Sequence, residues 1–275
     1  MAQAALTSAG MALPRVNPLL PAFTLWWREL VRFYRQPARV VGVIVSPLLF
    51  WVVIGGGFGS SVNTGTGSQE SFLHYFFPGA LIMIVLFTSI FTMMSVIQDR
   101  NEGFLLSVMT APVHRSSIVL GKVLGGTTLS AIQGLLFLIF TPMIGIHLGI
   151  AELLLVVLIT FLVAFALTAL GFAIAWKMES PQGFHAIINL FLLPMWMLSG
   201  ALFPIAKASK WVVWPMRINP LTYGLDALQL TLYPEKTGTT ALSLWPSIGV
   251  LAAFTVLVFM AGFVIANRRS TVPVA

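Results

Sequence analysis

Six stretches of this chain, residues 40–69, 71–98, 123–151, 153–176, 180–206 and 237–267, contain no Asp, Glu, Lys or Arg. Each holds an apolar run close to the ~20 residues a helix needs to cross a ~30 Å hydrocarbon core. A helix of a soluble protein is apolar along one stripe, whereas these runs are apolar all round. Only 8% of the 275 residues are charged, against about 25% in an average soluble domain. The sequence therefore predicts an all-α membrane protein with six transmembrane helices, near residues 40–58, 74–97, 117–146, 153–176, 184–203 and 244–266. Six crossings and their loops use nearly the whole length. One transmembrane domain over residues 21–275 is expected, preceded by a flexible cytoplasmic tail at residues 1–20.

Charge placement gives the orientation. The net charge of +7 could suggest nucleic acid in a soluble protein, but its distribution follows the positive-inside rule instead. Arg15, Arg28, Arg32, Arg35 and Arg39 precede the first span, and the next loop has Glu70 and no base. Arg100, Arg115 and Lys122 surround the loop after span two, Lys177 follows span four, and Arg268 and Arg269 follow span six. Both termini are predicted on the cytoplasmic side of a cell (inner) membrane. The loop 207–236 carries Lys207, Lys210, Arg217 and Lys236 yet falls outside in this topology; long translocated loops obey the rule weakly. With no cysteine, disulfides and thiol chemistry are excluded.

Before span one, Arg28, Arg32, Arg35 and Arg39 recur at helical spacing, with Phe23, Trp26, Trp27, Leu30, Phe33 and Tyr34 towards the other side. This predicts an amphipathic interfacial helix over residues 22–36, broken by Pro37. It reads as a plain membrane anchor or as a docking element. The segment 99–112 is too short to span and too apolar for an ordinary loop, so a short cytoplasmic helix is expected there. Pro142 is placed to kink the outer end of span three, and Lys122 to snorkel to the interface. Between spans five and six, residues 204–234 combine proline breaks with Trp211, Trp214, Tyr223 and Tyr233. That pattern suits two short helices dipping into the outer leaflet.

Several chemistries are absent from the sequence. Gly121-Lys122 is followed by Val and lacks the earlier glycine of a phosphate-binding loop. No metalloprotease or nucleophile-elbow motif occurs, and the four scattered histidines give no metal site. Span interiors hold no carboxylate pair of the kind that ion-coupled carriers place at mid-membrane. If the bundle moves something, the energy is expected from another polypeptide.

Three motifs, in order, carry a family resemblance. The first is Arg100-Asn101-Glu102-Gly103, running on to Ala111-Pro112 and Gly121-Lys122. The second is Leu198-Ser199-Gly200-Ala201-Leu202-Phe203-Pro204, and the third is Asn219-Pro220-Leu221-Thr222-Tyr223-Gly224-Leu225-Asp226-Ala227. From about Pro21 to Arg269 the chain resembles the membrane subunit of ABC-2 type exporters. The resemblance implies ATPase coupling through Asp99, Arg100, Glu102, Gly103, Phe104, Leu105 and Pro112, with the interfacial helix (Arg28, Arg32, Arg35) as a second point of force. It implies an outer gate at Gly200, Pro204, Asn219, Pro220 and Tyr223. Spans two and five would line the pathway, offering Phe87, Phe91 and Met94, and Asn189, Met195 and Met197. These side chains equally suit ordinary packing or lipid contact. Phe104-Leu105-Leu106 departs from the Thr-Leu-Glu common in the family, which replaces a polar contact to the ATPase with an apolar one.

The resemblance further implies a permease with no catalytic residue, cofactor or metal of its own. ATP and Mg would sit on a separate ABC ATPase subunit, and the permease would pair with a second copy or a paralogue among membrane lipids, with no nucleic acid. The cargo would be an amphipathic drug-like, lipid or lipid-linked molecule moved outward. Trp27-Arg28-Glu29 and Arg32-Phe33-Tyr34 only approximate the pattern of the polysaccharide branch. A non-transporting membrane scaffold is the alternative. A membrane-embedded lipid enzyme would need clustered histidines and carboxylates that the sequence lacks. Loss of Asp99 and Glu102 is expected to abolish transport while the bundle stays folded.

Overall fold

The described residues of the charge-free stretches are mostly helical, because a backbone in hydrocarbon must satisfy its own polar groups. The computed structural model describes residues 19–58, 72–234, 240 and 242–267. The expected tail and the Gly/Ser/Thr-rich loop after span one lie outside them, apart from Leu19 and Leu20, which open the first helix. In chain order the helices are α1 (Leu19–Tyr34), α2 (Pro37–Phe58), α3 (Phe72–Asn101), α4 (Phe104–Thr110), α5 (Arg115–Phe137), α6 (Ile150–Lys177), α7 (Pro181–Trp196), α8 (Lys210–Ile218), α9 (Pro220–Leu232) and α10 (Leu244–Asn267). No strand occurs among the described residues. Among the described residues, six helices are long and apolar enough to cross a membrane: α2, α3, α5, α6, α7 and α10, spans one to six.

Punctuation follows local chemistry. Pro37 separates α1 from span one. Gly103, at φ 75°, makes the left-handed turn that ends α3 and starts α4. The short helix is therefore Phe104–Thr110, and Asp99 and Arg100 belong to the last turns of span two rather than to that helix. Pro142 has no N–H to give the Leu138 carbonyl, and span three finishes there as a tighter 3₁₀ segment, Leu138–Ile144. Span five is opened by Ser180, whose hydroxyl accepts from the Gly183 N–H at 3.1 Å, and it widens into a π turn at Met197–Ala201.

Span two is the axis of the bundle, with 83% of its apolar window buried, whereas spans one and six are only 18% and 22% buried. It packs on spans one, three and four. At one end, Trp51 of span one meets Phe77 and Phe137 edge-on at 5.5 and 5.4 Å, while Phe77 and Phe137 stack at 4.7 Å. The Trp51 indole N–H also donates to the Leu73 carbonyl at 3.1 Å.

The first helix departs from expectation. Ala22, Leu25, Glu29 and Phe33 are its buried residues, and it lies along span three. A Cβ at Gly121 would come within 2.6 Å of the Ala22 carbonyl oxygen, and one at Gly125 within 2.8 Å of the Glu29 Cβ. The Gly-x-x-x-Gly spacing thus lets two backbones touch. Arg28 and Arg32 are not an outward stripe: both guanidiniums turn in to Asp99. Helical spacing alone cannot reveal a counter-charge 67 residues away.

Gly125→Leu is expected to lower the melting temperature of the detergent-solubilised protein, since forced overpacking costs about 1–3 kcal/mol. Gly56→Leu, where an added Cβ meets nothing within 4 Å, is expected to leave it unchanged in the same melting assay.

Candidate functional site

A carboxylate at the last turn of span two collects three cations. Asp99 is wholly buried. Arg28 grips it with both guanidinium nitrogens at 2.8 Å, Arg32 donates at 2.6 Å, and the Lys122 ammonium of span three closes the set. Lys122 also donates to Glu29 at 2.6 Å and to the Ser95 hydroxyl at 3.2 Å. Arg32 reaches the Gln98 side-chain carbonyl at 2.9 Å and approaches Glu102 at 3.6 Å. Three positive and three negative side chains therefore balance at the junction of α1, span two and span three. The hydrogen bond to Asp99 raises the Arg28 pKa above its ordinary value, against the pull of its own burial.

The expected snorkelling of Lys122 is corrected: it is 1% exposed and fully paired between Glu29 and Asp99. A lone lysine in a charge-poor span calls for a carboxylate partner, and Glu29 is the residue the sequence reading passed over. The two acids differ in setting: Asp99 contacts three cations, whereas Glu102 is 60% exposed.

The short helix α4 sits directly on this cluster. The Arg28 guanidinium lies over the Phe104 ring at 3.8 Å, and Leu105 packs with Leu25 and Ile118 in a small apolar core. Glu102, Gly103, Leu106, Ser107, Thr110 and Pro112 face outward, Leu106 being 66% exposed. Arg100 turns the other way, donating to the Trp176 and Met178 carbonyls at the end of span four. Arg35 is exposed at the end of α1 and makes no contact with Asp99.

At the opposite end, Gly200 takes φ 96° inside the π turn, and its carbonyl accepts from the Tyr75 hydroxyl at 2.5 Å. The Trp196 indole donates to the Gly79 carbonyl at 2.9 Å. Asn219 caps α9 by accepting from the Leu221 N–H at 3.0 Å and ties it to span five by donating to the Met195 carbonyl at 2.5 Å. Pro220 is the first residue of α9, Tyr223 donates to the Arg217 carbonyl at 2.7 Å, and Pro204 precedes a single 3₁₀ turn. Four of these five motif residues thus hold the turns around span five and α9, and Tyr223 closes α9 back on α8. Buried Asp226, the acid of the third motif, accepts from the Thr240 N–H, the Thr240 hydroxyl and the Ser247 hydroxyl at 2.9, 2.7 and 2.6 Å.

The pathway residues divide. Phe87 and Phe91 stack at 5.8 Å on span two, with Phe91 5.4 Å from His185. Met94 joins Phe91 and His185 on the wall of a cavity of about 470 Å³. Asn189 and Met197 are exposed on span five, and Met195 is half-buried. No cluster of residues able to hold a metal ion occurs among the described residues.

The family model described as ABC-2 type transporter matches residues 22–233. The chain is 27% identical to the ycf38 protein of Cyanophora paradoxa over 81% of its length and 77% of that protein's. It is 23% identical to the daunorubicin resistance ABC transporter permease protein DrrB1 of Streptomyces coeruleorubidus, covering 91% of this chain and 88% of the other. It is 24% identical to nodulation protein J of Neorhizobium galegae, covering 94% and 97%. With the family match spanning most of its length and six helices able to cross a membrane, this chain is a multi-pass membrane protein that belongs to the ABC-2 type transporter family.

Proposed function

We propose that the chain is the permease subunit of an ATP-driven exporter, pairing with a second copy or a paralogue and docking one ABC ATPase per permease. The ATPase holds ATP and Mg; this chain supplies the path and no catalytic group. The observation that carries the reading is the Asp99 cluster, which joins α1, span two and span three immediately beneath α4. A push on α4 or α1 reaches Asp99 through Phe104 and Arg28, and from there two spans at once. Buried ion pairs suit this role because they break only at high cost and so move as a unit. In this reading Glu102, Gly103, Leu106 and Pro112 meet the ATPase, and Arg28, Arg32, Phe104 and Leu105 relay its movement. The α4 end and both termini are cytoplasmic, and the Gly200 and Asn219 turns form the outer gate.

The cargo is an amphipathic drug-like, lipid or lipid-linked molecule moved out of the cytoplasm or inner leaflet. The relative named for daunorubicin resistance supports the drug branch. The exposed apolar faces of spans one, five and six supply area for a second permease copy and for lipid.

Affinity purification in mild detergent from the native membrane tests the assignment: a stoichiometric ABC ATPase is expected, and a clean chain without one returns the scaffold alternative. Leu106→Arg is expected to leave the melting temperature unchanged and to weaken ATPase retention about tenfold or more, as loss of an anchor residue does. Asp99→Ala is expected to lower the melting temperature sharply, since removing one partner of a buried ion pair costs about 3–5 kcal/mol. Glu102→Ala leaves melting unchanged in the same assay.

A further inference from the structure

Two of the bases that the charge pattern leaves on the outer side stand on α8. Lys210 opens that helix and Arg217 lies in its last turn. Their spacing is two helical turns, so at ~100° per residue the two bases lie within ~20° of one another. Trp214, Ile218 and Trp211 follow over the next ~100° of the same surface. Both bases are exposed, and the three apolar residues are 72%, 73% and 79% exposed. Buried Met216 points the opposite way, and α8 packs on the π turn and on α9. The helix thus turns a strip of bases, bordered by tryptophans, away from the protein. Its 9 residues are too few to cross a membrane, and tryptophan beside a span end belongs at headgroup depth.

We propose that this face of α8 binds the anionic headgroups of phospholipids in the outer leaflet. Lys210 and Arg217 meet the phosphates, and Trp211, Trp214 and Ile218 enter the layer beneath them, as in an interfacial amphipathic helix. The inference rests on the permease reading for the side of the membrane on which α8 lies. It gives the bases that run against the positive-inside rule a partner of opposite charge. A second copy of the chain is a poorer occupant, because a twofold contact centred on the strip sets base against base. The hold bears on the outer turns. Asn219 follows α8 directly, caps α9 and donates to the Met195 carbonyl of span five at 2.5 Å. Headgroup charge in the outer leaflet therefore acts on how firmly α9 and span five are placed.

The chain has no cysteine, so Ile218→Cys gives one attachment point for a fluorophore at the edge of the strip. The full chain, purified with whatever ATPase accompanies it, is reconstituted in mixed phosphatidylcholine and phosphatidylglycerol, with bromine on the acyl chains of one lipid or of the other. Brominated phosphatidylglycerol is expected to be preferred at this site about fivefold or more, the factor that about 1 kcal/mol from a single base supplies. Lys210→Gln with Arg217→Gln is expected to abolish that preference and to leave the melting temperature unchanged, since both side chains are exposed. Lys177→Gln, in the last turn of span four, leaves the preference intact, and high salt shrinks it. Equal quenching by the two lipids, or a preference that survives loss of both bases, overturns the proposal. Quenching by neither lipid puts the face against water or a second copy and overturns it as well. If the lipids quench alike while an ATPase co-purifies, the lipid surface fails and the permease reading stands. If the preference obeys the variants and no ATPase is found, the surface holds and the permease reading fails.

Discussion

Asp99 and its three cations decide how the α4 end of this bundle is held. An ionised carboxylate withdrawn from water is tolerated only when its oxygens are occupied. Here the occupants come from two other elements: Arg28 and Arg32 from α1, and Lys122 from span three. Each also reaches a second partner: Arg28 and Lys122 reach Glu29, and Arg32 reaches Gln98. The ion cluster thus fixes the rotation of α1, because only one face of that helix can present Arg28, Glu29 and Arg32 inward together. It also fixes the depth of Lys122, which must sit where Glu29 and Asp99 can both reach it.

Close packing supports the same joint. Gly121 and Gly125 remove the side chains that would hold α1 away from span three, and the Trp26 indole donates to the Thr128 hydroxyl at 3.0 Å one turn further on. Gly126 lies against Thr168 of span four and Met93 of span two. Span three therefore uses small residues towards several neighbours at once. Without a hydrophobic driving force between helices in lipid, such contacts and a few hydrogen bonds carry the association. The burial gradient follows: span two is enclosed on most sides, and spans one, five and six keep broad apolar faces outward.

Most of the architecture was legible because charge-free length is a direct physical signal. The six spans, the break at Pro37, the tightening at Pro142 and the two short helices after span five all follow from runs and prolines. The ion cluster was harder to see. Arg28, Arg32, Asp99 and Lys122 were each conspicuous, but pairing is a property of three dimensions, and the sequence reading sent Lys122 to the interface and the arginines to a polar face. Glu29 carried a signal that could have been used, since one acid among the bases of α1 and one base in span three invite each other. The polar side of the cavity beside Met94 was equally hidden. Phe91 and Met94 stand out by type, whereas Gln98, Ser46 and His185 acquire meaning only when three spans converge.

Span one is secured along a single line. Among the residues of span one whose side chains are described, Pro47, Trp51 and Gly55 are buried, four residues apart, and the aromatic knot around Trp51 grips the half away from α4. Towards α4, Val41, Gly42, Val45 and Ser46 are exposed, and the helix is joined to α1 across Pro37. Mechanically this is a cantilever: a rod clamped at one end, loaded at the other through a short link. A load on α1 would move span one most at its free tip, beside Gly42, and least at the clamp. The cavity wall at Gly42 and Ser46 thus belongs to a span that the ion cluster reaches only through α1.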